Sequence, residues 1–343
     1  MATVTTRAQR LRRSNPSGPG YARRRRGKGF EYLDEAGKPI TDAEVIARIA
    51  ALVIPPAWRD AWISPDPVGH IQATGSDQKG RTQYLYHPRW RERRDQEKFD
   101  DMVVFARALP AMRSVVDHDI ALGDLSREQV LACAARLLDR GFFRIGSEEY
   151  AVTNETYGLA TMLKRHVTLA GEVIRFDYTA KVSKRRVQAI VDPDVAAIVA
   201  TLKRRRGGGE ELLAYKRSGR WCDVRSPDIN AYLKAATDLD ISAKDFRTWG
   251  ATVLAAVGLA VTEPEHLSQA GRKRAIVRAV KEVAFYLGNT PAVARNSYID
   301  PRIFDRHRAG QTIKRKLDLV GADPEATAIQ GPVEEAVLDL IDA

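Results

Sequence analysis

Four places where proline follows a capping residue limit how the carboxy-terminal part of this chain can fold. They are Asp192-Pro193, Ser226-Pro227, Thr290-Pro291 and Asp300-Pro301. Asp, Ser and Thr side chains satisfy the free amides of a first helical turn, and proline fits there because that amide has no partner. Ser242 marks another start. Ser126 with Gln129 predicts a capping box and a helix to Arg140. Thr153 predicts a helix reaching about His166. Between these, Val173–Tyr178 alternates, with Ile174, Phe176 and Tyr178 on one face, and predicts a strand paired with Val182–Val191. After a break at Gly207–Gly209, Leu212–Lys216 and Arg220–Val224 predict a second hairpin around Ser218-Gly219. The pattern is that of a mainly α-helical domain with a small β-sheet.

Upstream the punctuation changes. Phe30–Leu33 alternates before a turn at Asp34–Gly37. Thr41–Ala51 reads as a short helix capped by Thr41, with Ile46, Ile49 and Leu52 on one face. Trp62-Ile63 and Thr82–Tyr86 read as strands, with a Gly-rich turn near Thr74–Gly80. Arg23–Arg26 reads as a basic arm entering this domain, and Arg89–Lys98 as the joint to the next. A length of 343 residues suits two domains. The expected division is 1–92, β-rich with a flexible basic arm at 1–15, and 93–343, ending in an acidic tail from about 317. That tail has acids but no bases and is expected to lie away from a polyanion.

The formal net charge of +11 makes a polyanion, nucleic acid first, the expected partner. Apolar runs such as Ala251–Ala260 are too short to span a membrane. Cys133 and Cys222 form no CxxC pair, which suits a reducing, intracellular setting. The Arg-rich start has no apolar signal core. No phosphate-binding loop, zinc-binding His-Glu-x-x-His or serine nucleophile elbow occurs. His70, His87, His118, His166, His266 and His307 are scattered without ligand spacing, and Asp117-His118-Asp119 reads as surface. No metal and no cofactor is expected, so chemistry must run on protein side chains.

Four segments stand apart: Phe142–Leu159 with Arg144, Tyr178–Ser183 with Lys181, Lys244–Gly250 with Arg247, and Leu287–Tyr298 with Asn289. In order, spacing and local sequence they resemble the catalytic domain of type IB DNA topoisomerases. Gly69–Ala73 and Gly80–Pro88 resemble the amino-terminal domain of the small bacterial and poxvirus-like members. The resemblance runs from about Gly18 to Lys316. It implies Tyr298 as nucleophile, Arg144 and Arg247 on the scissile phosphate, and Lys181 as general acid toward the 5′-oxygen. Asn289 stands where many relatives have His. The resemblance also implies contacts to duplex DNA from Lys79, Arg81, Gln83, Tyr84 and Tyr86, and from Tyr150, Lys184 and Lys244 near the reacting centre. The implied fold is α+β: a two-lobed clamp with a small antiparallel sheet in one lobe and a helical catalytic core in the other. The implied enzyme is an ATP- and metal-independent monomer, cytoplasmic and nucleoid-associated, that relaxes supercoils of either sign through a 3′-phosphotyrosyl intermediate.

These residue types suit that chemistry. Phosphodiester transfer is mostly positioning and charge stabilisation. Two guanidiniums offer planar, permanently charged donors to the non-bridging oxygens. Asn289 can donate a hydrogen bond there but not a proton. A 5′-alkoxide leaves poorly without a proton, which Lys181 can supply. Each residue alone also has a plain reading: a surface ion pair for Arg144, a solvated helix face for Arg247, packing for Tyr298 and Tyr150. A tyrosine recombinase uses a similar Arg, Lys, Arg, Tyr set. It carries His three residues before the second Arg, where this chain has Lys244. A non-catalytic duplex-binding protein is the other alternative, and the intact set of Arg144, Lys181, Arg247 and Tyr298 opposes it. Along the strand Thr82–Tyr86, alternation puts Tyr84 and Tyr86 on one face and Gln83 and Leu85 on the other.

Overall fold

The structure is a computed structural model that describes residues 10–261, 268–321 and 330–343. Part of the expected basic arm, His266 and part of the acidic tail therefore lie outside the described residues. The chain divides into two compact units, Met1–Lys98 and Phe99–Ala343. The architecture is α+β, with an antiparallel sheet in the first unit and a mainly helical second unit carrying a small sheet.

The first unit is a five-stranded antiparallel sheet in the order β2-β1-β3-β4-β5. Its strands are β1 (Tyr21–Arg26), β2 (Gly29–Leu33), β3 (Arg59–Ile63), β4 (Ile71–Ser76) and β5 (Thr82–Tyr86). Helix α1 (Ala43–Ala51) packs Ile49 with Ile54, Ile63 and Ala73. Its cap is Asp42, whose side chain accepts from the amides of Glu44 and Val45, not Thr41. The run Arg23–Arg26 is a strand, not an arm. All four residues pair with β2, while Tyr21 and Ala22 just before them pair with β3. The Arg23 guanidinium donates to the carbonyls of Ile54, Pro55 and Trp58, each at 2.9 Å, and lies 4.2 Å from the centroid of Phe30. A half-buried cation is tolerable when its donors are filled this way. Thr74–Ser76 belong to β4, so the turn begins only at Asp77.

Residues 89–98 are helical, within the long α2 (Pro88–Ile120). Phe99, Met102, Phe105, Leu109, Met112, Val116 and Ile120 recur at helical spacing and are buried. Each fully buried side chain of this size contributes roughly 1.5–3 kcal/mol. At the centre of the second unit lies α3 (Arg127–Gly141), in which Leu131 to Ala135, Leu137 and Leu138 are all buried. Ser126 caps it, accepting from Gln129 N. Gln129 does not complete a capping box: its amide accepts from Leu125 N and donates to Ile120 O, so it ties α2 to α3. Thr153 is not a cap. It sits inside α4 (Glu148–Asn154), and short 3-10 turns follow in place of the expected helix.

The three-stranded sheet β6-β7-β8 (Val167–Ala170, Val173–Ala180, Lys184–Val191) buries Ile174, Phe176 and Tyr178, as the alternation predicts. Next come α5 (Pro193–Arg204), capped by Asp192, and the hairpin β9–β10 (Ala214–Arg217, Arg220–Asp223). Helices α6 (Ser226–Thr237), α7 (Ala243–Ala260), α8 (Gln269–Leu287), α9 (Pro291–Ser297), α10 (Pro301–Arg308) and α11 (Lys314–Gly321) follow. The final segment is not all a free tail. Helix α12 (Pro332–Asp342) buries Val333, Ala336, Val337 and Ile341 in the core of the second unit.

Candidate active site

The loop after α3 presents the first candidate residue. Phe142 ends α3 in the left-handed conformation at φ 51°. Arg144 and Ile145 then run against residues 158–160, with Leu159 N donating to Arg144 O at 2.8 Å and Ala160 N to Ile145 O at 2.7 Å. The approach requires glycine twice. A Cβ on Gly158 would stand 2.4 Å from Gly146 N, and Gly146 itself has φ 94°.

Arg247 projects from the buried second turn of α7 and is 4 % exposed. It donates to Phe142 O and, at 2.9 Å, to Leu287 O. Its guanidinium lies 5.4 Å from the ring centroid of Tyr298. Burial and the nearby charge of Arg144 bring its pKa down to about 10, so it stays cationic at neutral pH.

Tyr298 ends α9, a helix of about two turns capped by Thr290. Thr252 of α7 holds the backbone there: its hydroxyl lies 3.3 Å from Tyr298 O and accepts from Asp300 N at 3.1 Å. Asp300 is fully buried, caps α10 and pairs with Arg302 at 2.7 Å. Burial alone would push the Tyr298 phenol up. The charges of Arg247 and Arg144 outweigh it, and the phenol lies below the ordinary tyrosine value.

Asn289 follows the left-handed Gly288 that ends α8. Its Oδ1 accepts from Arg144. Its Nδ2 is buried and has no hydrogen-bond partner. A buried donor without an acceptor costs about 1–3 kcal/mol, and an acceptor brought by a ligand would recover that cost. Lys181 lies at the exposed β7–β8 turn, where Val182 (φ 64°) and Ser183 (φ 53°) are both left-handed.

Two clefts share Arg144, Lys181 and Arg247 as walls. One, of about 280 Å³, adds Tyr298, Tyr150 and Lys244. The other, of about 560 Å³, adds Asn289, Lys184 and Arg186. The fold thus brings together every residue singled out in the second unit. Sequence reasoning missed Arg186, the carbonyl of Phe142 and Trp249. Alternation on β8 carried a signal for Arg186, because Arg186, Gln188 and Ile190 point inward together.

In the first unit, β5 alternates as expected. Tyr84 and Tyr86 are exposed and stacked, with ring centroids 5.9 Å apart. Gln83 and Arg81 instead bond the Asp77 carboxylate, at 3.1 and 2.7 Å. Hydrogen bonds from Arg81 hold that carboxyl down at about 2. The backbone amide of Lys79 donates to the same group at 2.9 Å.

Among the described residues, no three His, Cys, Asp or Glu side chains are grouped as metal ligands, and no helix is long and apolar enough to cross a membrane. Asp117 and Asp119 accept from Arg136 and from Tyr232.

Comparison with known proteins identifies the family. A model of the family described as "Eukaryotic DNA topoisomerase I, catalytic core" matches residues 87–317, and one of "Bacterial DNA topoisomerase IB, N-terminal domain" matches residues 29–77. DNA topoisomerase 1B of Acanthamoeba polyphaga mimivirus is 28% identical over 288 residues, covering 82% of this chain and 85% of the viral protein. DNA topoisomerase I of Monkeypox virus and DNA topoisomerase 1B of Vaccinia virus are each 24% identical over 232 residues, or 67% of this chain and 70% of theirs. With the catalytic-core match spanning most of its length, the chain belongs to the type IB DNA topoisomerase family, isomerases that act on DNA.

Proposed function

We propose that the chain relaxes supercoiled DNA by transient cleavage of one strand through Tyr298, without ATP or metal. The Tyr298 oxygen attacks phosphorus and forms a new P–O bond as the bond to O5′ breaks. Lys181 gives O5′ its proton. Arg144, Arg247 and the Nδ2 of Asn289 hold the non-bridging oxygens as charge builds on them. The 3′-phosphotyrosyl ester keeps the bond energy, so the reverse reaction reseals the strand. Between the two steps the free end rotates about the intact strand and releases supercoils of either sign.

The observation that carries this reading is the Tyr298 phenol held below its ordinary pKa between Arg247 and Arg144, with the Asn289 side chain beside it. An ordinary phenol is ionised to about one part in a thousand at neutral pH. A cationic setting raises that fraction and stabilises the attacking form.

The reading extends to the first unit, whose outward Tyr84 and Tyr86 with Lys79 and Arg81 would meet duplex DNA. A monomer would then close around the duplex as a clamp, with Tyr150, Lys184 and Lys244 on the flanking phosphates. Such an enzyme works at the nucleoid, in the cytoplasm.

The test is relaxation of supercoiled plasmid in EDTA without ATP, stopped midway with denaturant. The intact protein is expected to relax it and to leave a 3′-linked adduct. Tyr298→Phe should bind duplex and do neither. Relaxation by the Phe variant would remove Tyr298 as nucleophile. Duplex binding without relaxation by the intact protein would favour a recombinase or a binding protein.

A further inference from the structure

Three guanidiniums converge on the carboxyl end of α8. The last carbonyls of a helix lack intrahelical partners and form the negative end of its dipole. Here Arg247 takes Leu287 O, Arg144 takes Gly288 O at 3.4 Å, and Arg186 takes the two before them. Arg186 donates to Phe285 O at 3.0 Å and also to Tyr286 O. Its Nε meets Gln188 Oε1 at 3.2 Å. Gln188 in turn donates to Gly141 O at 2.9 Å, at the end of α3.

Arg144 and Arg247 are placed to meet a phosphate. Arg186 has its Nε and both terminal nitrogens each bonded to a protein oxygen, two of them successive carbonyls of α8, which suits it to a structural tie. It stands on β8, just past the turn that bears Lys181, while α8 leads directly into Asn289 and then Tyr298. A fork that bonds two successive carbonyls fixes direction as well as distance, which a single ammonium cannot do. Lys181 itself is exposed at a turn with two left-handed residues, and a general acid must lie within hydrogen-bond reach of its target oxygen.

We propose that Arg186 is a positioning residue that ties the hairpin bearing Lys181 to the carboxyl end of α8, and so sets the proton donor against the nucleophile across the scissile phosphate. This rests on the roles proposed above for Lys181 and Tyr298.

The test uses the full chain and a duplex with one mapped cleavage site, made with either oxygen or sulfur as the 5′-bridging atom. Sulfur leaves as a thiolate and needs no proton, so a defect in proton donation disappears on it. Single-turnover cleavage is compared for the intact protein, Lys181→Ala, Arg186→Ala and Arg186→Lys, with duplex affinity measured separately. Lys181→Ala is expected to be about 100-fold slow or worse on oxygen and near normal on sulfur. Arg186→Ala is expected to be at least about tenfold slow on oxygen and restored on sulfur, with affinity unchanged. Arg186→Lys, which keeps the charge but not the fork, should show the same pattern more weakly and guards against a failure of the alanine variant to fold. Slow cleavage on both substrates by the Arg186 variants, with Lys181→Ala restored, overturns the inference alone. So does normal cleavage by Arg186→Ala on oxygen. Lys181→Ala that stays slow on sulfur overturns the acid assignment and the inference with it.

Discussion

The indole of Trp249 donates a 2.9 Å hydrogen bond to Oε1 of Glu334, joining α7 to a helix beyond the segment matched by the family's catalytic core. Trp249 is two residues from Arg247. Glu334 also bonds Arg113, at 2.6 Å, and Arg113 pairs with Asp139 at 2.8 Å. Removing one partner of a buried network leaves the others unsatisfied. Glu334→Ala is therefore expected to cost roughly 2–4 kcal/mol in urea unfolding. A loss under about 0.5 kcal/mol, the size of an ordinary surface change, would mean that α12 rests on its apolar face alone.

The same carboxylate predicts a dependence on pH. Burial would raise the Glu334 pKa, but Arg113, the amide of Gly331 and Trp249 together hold it below the usual glutamate value. The folded state thus binds this proton less readily than the unfolded chain. The stabilisation is complete above the unfolded pKa of about 4.3 and is lost as pH falls through the lower folded value. The stability gap between the intact protein and Glu334→Gln should shrink as unfolding is measured from pH 7 toward pH 3. A gap that stays constant would show that the charge of Glu334 does not matter.

Cleavage by Tyr298 should accelerate with pH and level off below the ordinary phenol pKa of about 10. Arg144 and Arg247 both favour the phenolate. Arg144→Ala should shift the midpoint upward as well as slow the reaction. A rate profile with the same midpoint in both proteins would separate the arginine from activation of the nucleophile.

Asn289 offers a neutral donor where a proton donor would be redundant with Lys181. Asn289→Ala is expected to slow single-turnover cleavage about 100-fold, the usual effect of losing one donor to a charged oxygen. Asn289→His restores a donor and should recover most of that loss. If both variants cleave at the normal rate, the unpartnered Nδ2 has no acceptor in the reacting complex.

Tyr84 and Tyr86 are the outward groups of β5, whereas Asp77 already occupies Gln83 and Arg81. Replacing both tyrosines by Ala should weaken duplex binding, with the cleavage rate at saturating DNA unchanged. Binding of the intact protein should fall steeply with salt because phosphate contacts release counterions. Unchanged affinity in the double variant would move the DNA contacts off this face.

Much of this was legible in the sequence where the signal is local. Caps at Asp192, Ser242, Thr290 and Asp300 start the helices that follow them, and alternation on β5 and β7 assigned their faces correctly. The family was legible because its motifs are short, ordered and chemically unusual together. What escaped depends on distant partners. Arg23–Arg26 looks like a loose basic run until the carbonyls of Ile54, Pro55 and Trp58 are brought to Arg23. The final acidic stretch looks free until Arg113 and Trp249 arrive from far upstream. Thr153 has a capping side chain, but a reversal through the left-handed Glu155 follows it.

The carbonyl oxygens at the end of α8 bear on the enzyme between substrates. Three guanidiniums crowded at one spot repel each other, and an empty site of that kind invites either collapse or capture by any stray anion. Among the described residues, Arg144, Arg186 and Arg247 rest on peptide and amide oxygens and not on carboxylates. Dipoles of this sort calm the repulsion without cancelling the charge. A carboxylate in their place would have to be evicted by each incoming phosphate, turning every catalytic cycle into a contest between equals. With dipoles as caretakers, the resting site would be stable on its own and, on the mechanism proposed above, would still release Arg144 and Arg247 to an incoming phosphate.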